Sequence, residues 1–235
     1  MSKRPRAVVA LFAALTVWAG SNVWAGDSAS FVDLGFSADG KVYMFAQYGV
    51  ESASLKPWAE LFTVDVPRND FVKNGVKKAV GKAAVDAGQD GAGIFHSLLE
   101  ENAALTKKYK VDHKRQGSPL YVATENGGGK SGQILEFRDF DAESSYKAKL
   151  VSNVEGKGDK LHSSFFISVE RTLKSGKVKK YIVGSPAIKR AGVVSYAVRR
   201  VVAAPRDGSL VFVIETVKNG AKGPIIRYMV EVFRL

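Results

Sequence analysis

The chain has 235 residues, 35 of them Lys or Arg and 23 Asp or Glu, for a formal charge of +12, with 46% hydrophobic residues and no cysteine. That length and apolar content suffice for an ordinary packed core. The absence of cysteine excludes disulfides, thiol catalysis and thiolate metal sites.

The first residues, Met1-Ser-Lys-Arg-Pro-Arg6, are positive, and an uncharged apolar stretch follows from Ala7 to Ala19. Val23-Trp24-Ala25 then precedes Gly26. Small or modest residues three before and one before the cut make Ala25/Gly26 the best cleavage site, with Ala19/Gly20 as a second. The 13 apolar residues fall short of the ~20 that a spanning helix needs, which argues against a retained anchor. Residues 1–25 are thus expected to be a signal peptide. Residues 26–235 should then form one soluble β-rich domain, secreted or periplasmic, without stable membrane insertion. Losing Lys3, Arg4 and Arg6 leaves 32 basic against 23 acidic residues, a mature charge of +9. The basic doublets, among them Lys77-Lys78, Lys107-Lys108, Lys179-Lys180 and Arg199-Arg200, are scattered, which favours a generally solvated basic surface. Export makes nucleic acid an improbable partner.

From Phe31 to Val66 the pattern is one of strands, with Ser37-Ala38-Asp39-Gly40 as a tight turn. From Pro67 to about residue 113 the pattern changes: Phe71-Val72 and Val76 fit a short strand or turn, and the glycines at 75, 81, 88, 91 and 93 suggest loops. Ile94, Leu98, Leu99, Ala103 and Leu105 share a helical face opposite Glu100 and Glu101, so one amphipathic helix is expected at about 93–110. Strands are expected near 119–123, 132–138, 146–154, 162–171, 177–184, 193–203, 209–217 and 225–233. Gly-rich turns between them indicate a mainly β, antiparallel architecture, propeller-like or sandwich. Leu34–Phe45 also aligns with Val202–Val213 through Asp39-Gly40 and Asp207-Gly208, an internal repeat that would bring the chain termini together.

Gly35-Phe-Ser-Ala-Asp-Gly-Lys-Val-Tyr-Met-Phe-Ala-Gln-Tyr-Gly-Val50, with Leu61-Phe-Thr-Val-Asp-Val66, resembles the opening of an uncharacterised family of predicted secreted bacterial proteins, a domain of unknown function. The resemblance implies secretion and a single domain, and carries no activity or site residue. The same Phe-Ser-x-Asp-Gly segment is similar to propeller blades of periplasmic translocation proteins, which bind other proteins.

The candidate chemistry is sparse. Gly129-Lys130-Ser131 has Thr124 where a phosphate loop needs glycine, so Asn126–Lys130 is expected to be a hairpin loop. Among His96, His113 and His162, only His96 has an acid at helical spacing, Glu100, and no metal site is expected. Asp139, Asp141 and Glu143 alternate as in a calcium loop but lack its glycine and distal Glu. No Gly-x-Ser-x-Gly elbow occurs. Dispersed acids such as Asp65, Glu136 and Glu170 leave a glycosidase open. Phe31, Tyr43, Phe45, Tyr48 and Trp58 could line a sugar-stacking groove, while strand alternation points to core packing for most of them; Trp58, read as lying in a loop after Pro57, is the candidate ligand or partner contact. In Tyr228–Leu235, Glu231 and Arg234 interrupt the alternation of an outer-membrane barrel strand. The leading expectation is a non-enzymatic envelope protein, without a cofactor, that binds a partner protein or an anionic envelope component. The alternatives are a hydrolase of an envelope glycan or peptide, and an accessory role in which the helix docks on another protein.

Overall fold

A computed structural model describes residues 27–86, 88–124 and 132–234. The leader, its cleavage site Ala25/Gly26 and the glycine-rich Asn126–Lys130 segment lie outside the described residues. The chain begins with β1 (Asp27–Ser28), β2 (Ser30–Ser37), β3 (Val42–Val50), β4 (Pro57–Asp65) and β5 (Asp70–Val80). Helices α1 (Ala92–Glu101) and α2 (Ala103–Tyr109) lead into the short β6 (Val111–Asp112) and β7 (Ser118–Val122). The remainder is β8 (Ile134–Asp139), β9 (Ser144–Glu155), β10 (His162–Thr172), β11 (Val178–Ala191), β12 (Val193–Ala203), β13 (Leu210–Gly220) and β14 (Gly223–Phe233).

These strands form three sheets, with orders β5-β4-β3-β2-β6, β1-β14-β13-β12-β7 and β11-β10-β9-β8. Every pairing is antiparallel except β1 with β14. The expected antiparallel β architecture is therefore present, extended from two layers to three. The sheet of β12, β13 and β14 lies in the middle. Leu210, Phe212 and Ile214 pack with Leu135, Tyr146, Phe165 and Ile167 of the outer sheet. Val211, Val202 and Val232 point the other way and pack with Phe36, Tyr43 and Phe45. Both faces of β13 are thus covered, which explains why Leu210–Ile214 is apolar at every position instead of alternating.

The repeated hairpins lie against each other across that second interface. Asp39 accepts a hydrogen bond from the Lys41 N–H (3.1 Å), and Asp207 accepts the equivalent one from Ser209 (3.0 Å). The turns touch, with Arg206 Nε donating to the Ala38 carbonyl at 2.9 Å. Flanking strand order is the same in both sheets, β4-β3-β2-β6 and β14-β13-β12-β7. As the repeat leads one to expect, the first and last strands are neighbours, Asp27 of β1 lying beside Ile225 of β14.

Three local expectations are corrected. The helix is broken in two at Asn102, whose side chain donates to the Leu98 carbonyl at 2.8 Å and competes with helix continuation. Residues 70–80 form a full edge strand, not a short strand or loop. A register shift opposite Phe62–Val64 accommodates Asn74 at φ 58, and this obscures the alternation. Trp58 lies in strand β4, not in a loop, and is 8% exposed.

Candidate functional site

The outer face of the β5-β4-β3-β2-β6 sheet is covered by the helix pair. Asp90 caps the Ala92 N–H (2.9 Å), and α1 then buries Phe95 and Leu98 against Met44, Ala46, Ala59 and Leu61. Phe95 stacks on Tyr48 with ring centroids 5.3 Å apart. α2 ends on Lys110 in the left-handed region (φ 53), which turns the chain into β6 beside β2.

The neighbouring helix face, at 96, 99, 100, 103, 106 and 107, overlooks β2, β3 and β6, with Leu99 packed against the Met44 and Val111 cluster. Between lies a cleft of about 550 Å³. Its apolar lining is Leu34, Met44, Leu99, Ala103 and Val111, and its polar rim is His96, Glu100, Thr106, Lys107, Asp112 and His113. The volume falls within the range of small-molecule sites, and apolar walls with a few polar rim groups are their usual chemistry.

The rim at the α2–β6 end is strongly positive. Lys107, Lys108, Lys110, Lys114 and Arg115 fall within nine residues that contain one acid, Asp112. The Asp112 carboxyl is held below the usual carboxylate range first by the Lys114 N–H (3.0 Å), then by the charges of Arg115 and His113, each 3.8 Å away. Lys107, Lys110 and Lys114 make no ion pair among the described residues. His96 and Glu100, paired by helical spacing, both line this cleft, and His113 joins them from the turn after β6.

Trp58 occupies a different place. Its ring lies over Gly49 on β3, and the Arg227 guanidinium covers it at 3.8 Å from the centroid. The indole N–H donates to Asp27 (3.3 Å), which also takes Arg227 in a forked pair at 2.7 and 3.0 Å. Trp58, Asp27 and Arg227 therefore tie β1 and β14 to β4. The adjoining hollow, about 240 Å³, is also lined by Glu51, Lys56, Glu60 and Lys78. An indole with both faces covered is a structural anchor and presents no open ring for a sugar to stack on.

The other residues marked by the sequence are dispersed. His162 pairs with Glu155 (2.9 Å), which Lys189 also contacts. Hydrogen bonds from Lys189 first and then from His162 hold the Glu155 carboxyl low. Asp139 caps the turn at Ala142 (2.9 Å), and Glu143 pairs with Lys174 (2.6 Å). Asp139 and Asp141 line a polar cleft of about 520 Å³ with Arg171, Arg206 and Asp207. Glu136 pairs with Lys147, Glu170 with Lys180, and Asp65 bonds the Arg68 N–H. Phe31, Tyr43 and Phe45 stack in the core. Glu231, at the interruption in the last strand, is bound by Asn69 (2.7 Å) and Arg190 (3.3 Å).

Sequence reading missed Asp33. Its carboxylate meets Arg200 at 3.1 Å across the two-sheet interface. Burial raises its pKa, opposed by Arg200 and by the Gly35 N–H. Neighbouring Tyr43 is raised well above its ordinary value, first by burial and then by the Asp33 charge. Nothing in strand alternation marks such a pair, because it forms between strands 167 residues apart.

A profile of the family described as predicted secreted protein (DUF2259) matches residues 44–234, most of the chain. The chain belongs to this family. The DUF2259 match begins at Met44. Met44–Val50 and Leu61–Val66 of the resembling segment thus lie within it, and the Ser37–Gly40 turn lies just before. The family description carries secretion and no activity. No curated protein and no solved structure matches the chain. Among the described residues, no helix is long and apolar enough to cross a membrane.

Proposed function

We propose that this DUF2259 protein is a non-enzymatic binding protein of the cell envelope, working in the periplasm or outside the cell. Its ligand is an anionic amphiphile, its apolar tail in the cleft beneath α1 and α2. The reading rests on one juxtaposition: Lys107 lines an apolar cleft of about 550 Å³, Lys110 and Lys114 adjoin its lining residues Val111 and His113 in sequence, and the three lysines make no ion pair among the described residues. Leu34, Met44, Leu99 and Val111 would receive the tail, and the lysines with His113 would face the anionic head. Thermal shift against dodecanoate, dodecanol and phosphatidylglycerol vesicles tests it. Dodecanoate at a hundred times its dissociation constant should add about 2.7 kcal/mol, a rise of roughly 5–11 °C. The shift should shrink in Lys107→Glu/Lys110→Glu/Lys114→Glu. Equal shifts with dodecanol, or none with any probe, would remove the proposal.

A second reading, hydrolysis of an envelope glycan or peptide, has its support in the polar cleft of Asp139, Asp141 and Asp207 with two arginines. It predicts turnover of a peptidoglycan or oligosaccharide substrate that Asp141→Asn and Asp207→Asn abolish without loss of folding. Turnover unchanged by both would end it.

A further inference from the structure

The inward face of the β11-β10-β9-β8 sheet is core, but its outward face carries an ordered pattern. Register places Glu136 on β8 beside Lys147 on β9, Lys147 beside Glu170 on β10, and Glu170 beside Lys180 on β11. The four make one row across the sheet with charges alternating minus, plus, minus, plus. Cross-strand ion pairs close Glu136–Lys147 (3.3 Å) and Glu170–Lys180 (2.9 Å), and these side chains remain 40–75% exposed. The next row is Ile134, Lys149, Ser168 and Ile182, and beyond it stand Val151 and Phe166. Ile134 and Ile182 are 56% and 59% exposed, and Val178 further along is 50% exposed.

We propose that this face pairs with a second copy of the same chain. A two-fold dimer interface must be complementary to itself. With the axis running along the strands between β9 and β10, the charged row meets its own reverse. Glu136 then faces the second copy's Lys180, and Lys147 faces its Glu170, so every charge meets its opposite. The same operation sets Ile134 over Ile182 and Val151 over Phe166. An axis along the row instead would set each charge on its own copy, so the charges select the orientation. Strands of the two copies then run near-parallel, as in aligned sheet packing. Four strands at ~4.8 Å spacing give a face at the small end of stable interfaces, and a weak dimer is the consequence.

Sedimentation equilibrium of the purified protein, loaded from roughly 1 μM to 1 mM, is the test. The wild type should approach twice the monomer mass at the upper end. Lys147→Glu/Lys180→Glu makes the row wholly acidic, and Glu136→Lys/Glu170→Lys makes it wholly basic. Each variant alone should be monomeric, with association weakened at least tenfold. Their equimolar mixture should restore the dimer, because acidic and basic rows again face each other. Thermal melts of each variant confirm the fold. A wild type that stays monomeric to 1 mM would overturn the proposal. So would a dimer that ignores both charge variants, or a mixture that does not reassociate.

Discussion

Asp27 opens the described chain, and its removal offers a quantitative test of how the first strand is held. The carboxylate is 5% exposed and Arg227 25%, and two charge-assisted hydrogen bonds at 2.7 and 3.0 Å join them. Breaking a fully buried pair from one side costs about 3–5 kcal/mol. Arg227 retains some access to water, and the indole bond to Asp27 is long at 3.3 Å. Asp27→Ala should therefore cost about 2–3 kcal/mol, or roughly 4–12 °C in Tm. Arg227→Met should cost more, since it strands a nearly buried carboxylate and removes the cation from the Trp58 ring, worth about 0.5–2 kcal/mol. The double variant should be less damaging than the sum, with a coupling of about 1–3 kcal/mol. Urea unfolding followed by fluorescence gives all four corners of the cycle. An Asp27→Ala loss under ~0.5 kcal/mol, or strict additivity, would refute the tether.

Three further outcomes are expected. Phe212→Ala, in the doubly covered middle sheet, should cost about 3–5 kcal/mol by urea unfolding, while Phe140→Ala, at 77% exposure, should stay within about 0.5 kcal/mol. Gly40 has φ 74, and a Cβ there would lie 2.2 Å from the Pro205 carbonyl, whereas one at Gly88 (φ 93) meets open space. Gly40→Ala should thus exceed Gly88→Ala by at least ~1 kcal/mol in thermal melts, and equal losses would argue against touching turns. Because folding raises the Asp33 pKa, the folded state binds more protons there. The stability Asp33 contributes is then full below its ordinary pKa and lost as pH rises through the raised value. Asp33→Asn should therefore gain on the wild type between about pH 4 and 7 in urea titrations, and the opposite slope would contradict the burial argument.

Much of this architecture is legible in local pattern. Most of the later strands lie near where alternation and glycine turns put them, as β8 and β9 alternate a buried face with a wetter one, although β11 continues to Ala191, past the expected 184. β13 is apolar from Leu210 to Ile214, which announces burial on both faces, but which sheet covers each face depends on contacts distant in sequence. The repeat was readable because Asp39 and Asp207 perform the same local hydrogen bond. β5 was obscured by Asn74 and Gly75 at an irregular edge, and the helix break by one side-chain bond at Asn102. Trp58 drew notice as an aromatic beside a proline; what covers it, Arg227, is 169 positions away. The cleft was legible only in part. His96, Glu100 and the Lys107-Lys108 doublet stood out singly, yet their convergence with Leu34 and Val111 depends on how the helices lie on the sheet.

The most direct measurement is calorimetric titration of dodecanoate and decanoate into the wild type and Ala103→Trp, whose indole would fill the cleft. Tail burial contributes ~0.8 kcal/mol per CH₂, so shortening by two carbons should weaken binding about 15-fold. Ala103→Trp should melt cooperatively and bind neither. Binding that ignores chain length, or survives undiminished in Ala103→Trp, would contradict an apolar tail beneath α1 and α2.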